Sequence, residues 1–157
     1  MISSLTGTVA AVGLDHAVLD VGGVGFACQA APSTLAGLRT GSDATLQTVL
    51  VVREDSLTLY GFTDNDEREV FLTVQTGGGV GPKLALAIIA VLTPEELRQA
   101  VSSDDLAALQ KVPGIGKKVA QRLVLELSGK LGEPAGTAPA APAGAVDPDV
   151  VAALVQL

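Results

Sequence analysis

The sequence predicts an α+β protein in which a small five-stranded β-barrel over residues 1–63 is followed by an all-α region over residues 64–131. Three observations predict it. The first sixty or so residues hold short runs rich in β-branched residues and separated by turn residues. From Asp64 the pattern changes to apolar residues at helical spacing with capping signatures. The composition is 48% hydrophobic but only 3% aromatic, with a mean hydropathy of +0.45, so the core is built of Ala, Val, Leu and Ile.

The strand runs are Thr6 to Val12, Asp15 to Val21, Val24 to Ala30, Thr45 to Arg53 and Leu57 to Phe62. Gly22-Gly23 tolerates positive φ and predicts a tight hairpin between the second and third runs. Val24, Phe26 and Cys28 then share one face, which makes Cys28 a small buried side chain rather than a nucleophile. His16 reads as a surface residue at a strand end. Asp64 opens a helix carrying Val70, Phe71 and Val74, which Gly77-Gly78-Gly79 ends. Thr93-Pro94-Glu95-Glu96 is a capping box with Pro at the first helical position. Ser103-Asp104-Asp105 starts another helix, and Lys117 to about Ser128 forms one more, with Val119, Leu123 and Leu127 on one face. Residues 132–146, mostly Ala, Pro and Gly, read as a flexible linker. Residues 147–157 read as the first helix of an incomplete third domain.

A length of 157 residues fits one ordinary domain or two small ones and excludes a large multi-substrate enzyme. No apolar run is long enough to cross a membrane. One cysteine cannot form an internal disulfide, and the N-terminus lacks a signal-peptide pattern, so the expected compartment is the cytoplasm. The net charge of −7 argues against a nucleic-acid partner until its distribution is considered. Residues 1–63 hold two basic groups and five acidic ones, residues 64–130 eight and nine, and residues 131–157 three acids alone. Leu109 to Leu125 carries Lys111, Lys117, Lys118 and Arg122 with no acid.

The most informative signal is an internal repeat. Gly79-Val80-Gly81-Pro82-Lys83-Leu84-Ala85 recurs 35 residues later as Gly114-Ile115-Gly116-Lys117-Lys118-Val119-Ala120, each copy lying between helical segments. Glycines in such a turn leave no side chains on its outer surface, so backbone N–H groups can approach an anion, and the next helix turns its N-terminus to the same place. Lys83 or Lys118 adds a formal charge. Nothing in this arrangement reads a base. It predicts a sugar-phosphate grip used twice, able to hold both strands of a duplex across a minor groove.

Other readings are weaker. Gly79-Val80-Gly81 lacks the third glycine of a dinucleotide fingerprint, and no Gly-Lys-Ser or Gly-Lys-Thr is present. A helix-hairpin-helix glycosylase or nuclease is the alternative of a different class. Past Gly116, however, no Asp appears until Asp147, and Asp104 and Asp105 look like first-turn helix acids. A protein-interaction scaffold whose hairpins bind no DNA is the third reading.

Val52-Arg53-Glu54-Asp55-Ser56, Leu59-Tyr60-Gly61-Phe62, the first glycine hairpin and Val112-Pro113-Gly114-Ile115-Gly116-Lys117-Lys118 together resemble the RuvA family in order and spacing. The resemblance implies an oligonucleotide-binding (OB) type barrel, a tandem helix-hairpin-helix domain, a mobile linker and a small helical third domain. It implies a non-catalytic subunit, with no cofactor or metal, that binds four-way (Holliday) DNA junctions. It also implies a homotetramer, sometimes paired as an octamer, and a hexameric ATP-driven motor, RuvB, as partner through the third domain, which is incomplete here. By position, backbone amides at Gly79, Gly81, Gly114 and Gly116 would meet phosphates, helped by Lys83, Lys117, Lys118 and Arg122. Glu54 and Asp55 resemble the family's acidic pin, which would repel phosphates from the junction centre. Gly77-Gly78-Gly79 is richer in glycine than that hairpin requires.

Overall fold

The computed structural model of the protein describes residues 1–77 and 79–132. The expected linker from residue 133 on, and the expected final helix at 147–157, lie outside the described residues. Strands β1 (Ser4–Val12), β2 (His16–Val21), β3 (Val24–Ala30), β4 (Asp43–Arg53) and β5 (Ser56–Phe62) close into a barrel in the order β1-β2-β3-β5-β4. All neighbours are antiparallel except β3 and β5. The five expected runs are all present, with ends moved by at most two residues.

Closure depends on β1, whose first half pairs with β4 and whose second half pairs with β2. A register shift between Val9 and Ala11 bends the strand between its two partners, as a bulge does. At Gly22-Gly23, φ of 62° and 93° gives the tight hairpin, and the Gly23 N–H donates to the Asp20 carboxylate at 2.8 Å. Leu5, Val9, Leu19, Cys28, Leu46 and Leu59 fill the barrel. Burial pushes the Cys28 thiol up to about 11, so it stays protonated and unreactive near neutral pH. Val24 shares the face of Cys28 but is exposed, because it sits at the hairpin end beyond the barrel's interior.

A short helix, α1 (Pro32–Ala36), was not expected from the sequence. Pro32 at its first turn and buried Thr34 and Leu35 hold it against the barrel, where Leu35 packs with Ala17 and Ala30. Five residues are too few to show helical periodicity, so it is legible only from what it covers.

Helices α2 (Asn65–Val74), α3 (Pro82–Val91), α4 (Pro94–Ser102), α5 (Leu106–Gln110) and α6 (Lys117–Leu127) form the second region. Asp64 caps α2 by accepting from the Glu67 N–H, and both bonds of the Thr93–Glu96 capping box are made. Asp105, rather than a first-turn acid, is the N-cap of α5, and Asp104 before it holds a φ of 56°. Buried residues repeat at the 35-residue interval: Val74 with Leu109, Val80 with Ile115, Ala85 with Ala120, Ile88 with Leu123, and Leu92 with Leu127. On α6 the most buried line is Ala120, Leu123 and Leu127, with Val119 only half-buried beside it.

Barrel and helices share one core. Phe71 of α2 lies between Tyr60 and Phe62 of β5, with ring centroids 5.0 and 4.8 Å away. These are three of the chain's four aromatic residues, so nearly all its large flat surface is spent at this joint. Arg68 of α2 donates from Nε to the Thr48 carbonyl of β4 at 2.8 Å. Further along, Arg98 of α4 pairs with Asp66 of α2 and donates to the Leu131 carbonyl at 2.7 Å. Phe71→Ala should therefore cost about 3–5 kcal/mol. Urea unfolding should show this as a lower midpoint, and a change below about 1 kcal/mol would mean that the joint contributes little to stability.

Candidate nucleic-acid interface

The two glycine hairpins have nearly the same backbone. Gly79 and Gly114 take φ of 85° and 95°, in the region that disfavours any side chain. Gly81 and Gly116 are the N-caps of α3 and α6, with φ/ψ of −98°/−175° and −94°/−173°. A methyl placed on either of these N-cap glycines would meet nothing within 4 Å, so both backbones are open to solvent. Val80 and Ile115, between the glycines, are buried and anchor the turns.

The N-termini of the longer helices are of two kinds. Helices α2 and α4 have side-chain caps and two acids each in the first turn, Asp66 and Glu67 or Glu95 and Glu96. That is the usual way to satisfy free N–H groups and the positive end of the helix dipole. Helices α3 and α6 have no side-chain cap and no first-turn acid. In their place stand Lys83, Lys117 and Lys118, exposed and, among the described residues, without an ion-pair partner. Cations at a helix N-terminus oppose the dipole, so folding alone does not favour them there. An anion brought between dipole and lysine removes the conflict.

The two units are interleaved. A methyl on Gly114 would stand 3.3 Å from Leu84 of α3, and one on Gly79 would stand 3.9 Å from the Arg122 guanidinium of α6. Each hairpin thus rests against the second helix of the other unit. Arg122, grouped by sequence with the second hairpin, lies beside the first, where Glu126 pairs with it at 3.6 Å and also flanks Gly77.

Glu54 and Asp55 form the two-residue turn between β4 and β5, where Arg53 pairs with Ser56. Both acids are exposed. Strand alternation puts Arg53, Ser56, Thr58 and Tyr60 on one face of this hairpin, and that face borders the start of α3 across a groove of about 460 Å³. Arg53 and Tyr60 lie outside the repeat, so the sequence pattern alone does not mark them as lining this groove. The signal that could have found them is their position at odd offsets from the acidic turn on one strand face. Among the described residues, no group of three or more His, Cys, Asp or Glu could hold a metal ion. No helix there is long and apolar enough to cross a membrane.

Residues 1–61 match the family model described as RuvA N terminal domain, and residues 71–128 match the one described as SAM-like Helix-hairpin-helix tandem. A Beutenbergia cavernae protein is 61% identical over 158 aligned positions, covering 100% of this chain and 79% of that protein. A Thermobifida fusca protein is 58% identical over 142 positions, covering 90% and 70%. One from Renibacterium salmoninarum is 57% identical over 160 positions, covering 100% and 74%. Each of the three is named Holliday junction branch migration complex subunit RuvA.

The geometry makes the four hairpin glycines unequal in their cost to folding. Gly114→Ala should destabilise by about 1–2 kcal/mol, from positive φ and the Leu84 contact. Gly116→Ser supplies a favoured N-cap in open space and should change stability by less than about 0.5 kcal/mol. Thermal melts of the two variants check the contrast, and equal losses would contradict it.

Proposed function

Because this chain belongs to the RuvA family, we propose that it is a non-catalytic DNA-binding subunit that recognises four-way junctions and holds them open for branch migration. The observation that carries the reading at residue level is the contrast among helix N-termini. Among the described residues, only the two helices that follow Gly-x-Gly turns combine an open backbone, no side-chain cap, no first-turn acid and lysines without an ion-pair partner.

In this reading residues 64–131 grip DNA. Amides at Gly79, Gly81, Gly114 and Gly116 donate to phosphates, while Lys83, Lys117, Lys118 and Arg122 neutralise charge around them. The contacts reach the backbone alone, so binding follows DNA shape and not sequence. Residues 1–63 carry Glu54 and Asp55 as an acidic pin. Four copies of the chain around one axis would gather four such pairs, whose field keeps phosphates away from the junction centre. A second tetramer on the opposite face would sandwich the junction. The motor, RuvB, would be engaged through residues beyond the 132–146 linker.

A glycosylase or nuclease reading needs a carboxylate poised over a DNA site. Asp105 is instead occupied as a helix cap, accepting from the Ala108 N–H at 3.1 Å. Gel shifts on a four-way junction and on duplex of equal length, with strand integrity checked with and without Mg²⁺, test the function directly. Tighter junction binding without cleavage is expected; cleavage or equal affinity would overturn it.

Two substitutions test the parts. Changing Lys117 and Lys118 together to Ala should flatten the slope of log K against log[salt] by about 1.8 and weaken binding to all sequences alike. A junction library with randomised arms checks the second half. Glu54→Gln with Asp55→Asn keeps size and deletes charge. It should tighten duplex binding more than junction binding, lowering the preference by about tenfold, ~1.4 kcal/mol. An unchanged ratio of dissociation constants at fixed salt would make the pair an ordinary solvated turn.

A further inference from the structure

The groove between the β4–β5 hairpin and the start of α3 has features that packing does not account for. Its barrel wall is Arg53, Ser56, Thr58 and Tyr60, and its helical wall includes Gly81 and Lys83. Tyr60 is only 5% exposed, yet among the described residues its hydroxyl has no hydrogen-bond partner. Its ring already packs on Phe71, work that a phenylalanine would do without burying a polar atom. The hydroxyl belongs to a residue that lines the groove, so a donor with no partner in the fold borders that space. Burial pushes the phenol upward from its ordinary value, against the pull of Arg53, so at neutral pH it is a protonated donor.

Every charge on the two walls is positive. Arg53 and Lys83 have no ion-pair partner among the described residues. Carboxylates adjoin the groove at the hairpin tip, as Glu54 and Asp55 between Arg53 and Ser56, and on a neighbouring recess, as Asp15, which is paired with His16 at 2.8 Å. Two cations, a buried phenol donor and the uncapped start of α3 around about 460 Å³ suit a phosphodiester.

We propose that this groove is a phosphate site on the barrel, which takes one sugar-phosphate strand of a four-way junction as that strand leaves its duplex arm, with Tyr60 and Arg53 as the barrel's donors. The inference rests on the junction-binding reading above and extends it from the helical hairpins to the barrel. Its position explains the role: the groove starts at the first hairpin, at Gly81 and Lys83, and ends at Arg53, the residue before Glu54-Asp55. A strand passing from the hairpin grip toward the centre is held there, and the acids beyond it bar further entry. Continuous duplex has no strand to place in the groove, so the site adds selectivity as well as affinity.

The test uses the whole chain with a four-way junction and a duplex of equal length at one salt concentration. Tyr60→Phe removes a single oxygen and keeps the ring against Phe71, so its melting curve should match the unaltered protein's. It should weaken junction binding about tenfold and duplex binding less than about twofold. Arg53→Gln should do the same and reduce the salt slope on junctions by about 1. Neutral methylphosphonate linkages placed one at a time around the crossover locate the phosphate. At one linkage the Tyr60→Phe penalty should vanish. Junction affinity unchanged in both variants overturns the inference while leaving the hairpin reading intact, and equal losses on junction and duplex overturn its selectivity. Failure of the unaltered chain to prefer the junction overturns the reading beneath it, and this site with it.

Discussion

The placement of Phe71 between Tyr60 and Phe62 is the interaction on which the rest of the arrangement depends. The barrel carries an acidic turn and the helices carry two basic hairpins, and neither feature acts on DNA shape unless their separation and angle are fixed. A polar or loosely packed joint would let the two regions move independently, as small interdomain contacts usually allow. Here the joint is a continuous apolar core with three aromatic rings, reinforced by the bond from Arg68 to the Thr48 carbonyl. It sets the acidic turn at a defined place relative to the hairpins. It also brings β5 alongside the start of α3, forming the groove that neither region makes alone.

Within the helical region, duplication solves a second problem. A single short helix pair with a glycine turn has too little apolar surface to be stable. The two copies place their equivalent residues, Ala85 and Ala120 or Ile88 and Leu123, in one shared core, and each turn leans on the other copy's second helix. Buried Val80 and Ile115 anchor the turns whose glycines would otherwise leave the backbone free. The charges sort in the same way. Arg68 and Arg98 are bound up in structural ties, whereas the hairpin lysines stay exposed and unpaired among the described residues. An acidic protein thereby presents a locally basic surface, which explains how a net charge of −7 is compatible with gripping phosphates.

Much of this was legible in the sequence because it is local. Strand existence, the Gly22-Gly23 hairpin, the Asp64 cap and the Thr93–Glu96 box follow from φ preferences and hydrogen bonds spanning a few residues. The repeat made the hairpins visible because two copies carry the same constraint at a fixed interval. Boundaries and short elements were less legible. Helix α1 is too short to show a period, and Asp104 and Asp105 differ in role through a backbone φ that residue type does not fix.

What the sequence by itself determined was therefore the alphabet of elements, the duplicated glycine hairpin and the acidic turn, each set by residues close together in the chain. What only the tertiary structure decided was adjacency: Arg122 of the second unit beside the first hairpin, and Tyr60 and Arg53 lining one groove with Gly81 and Lys83. Those juxtapositions come from barrel closure and from packing between residues far apart in sequence. Their physical reason is the shared core, because it is the burial of Phe71 against β5, and of one repeat against the other, that chooses which surfaces meet.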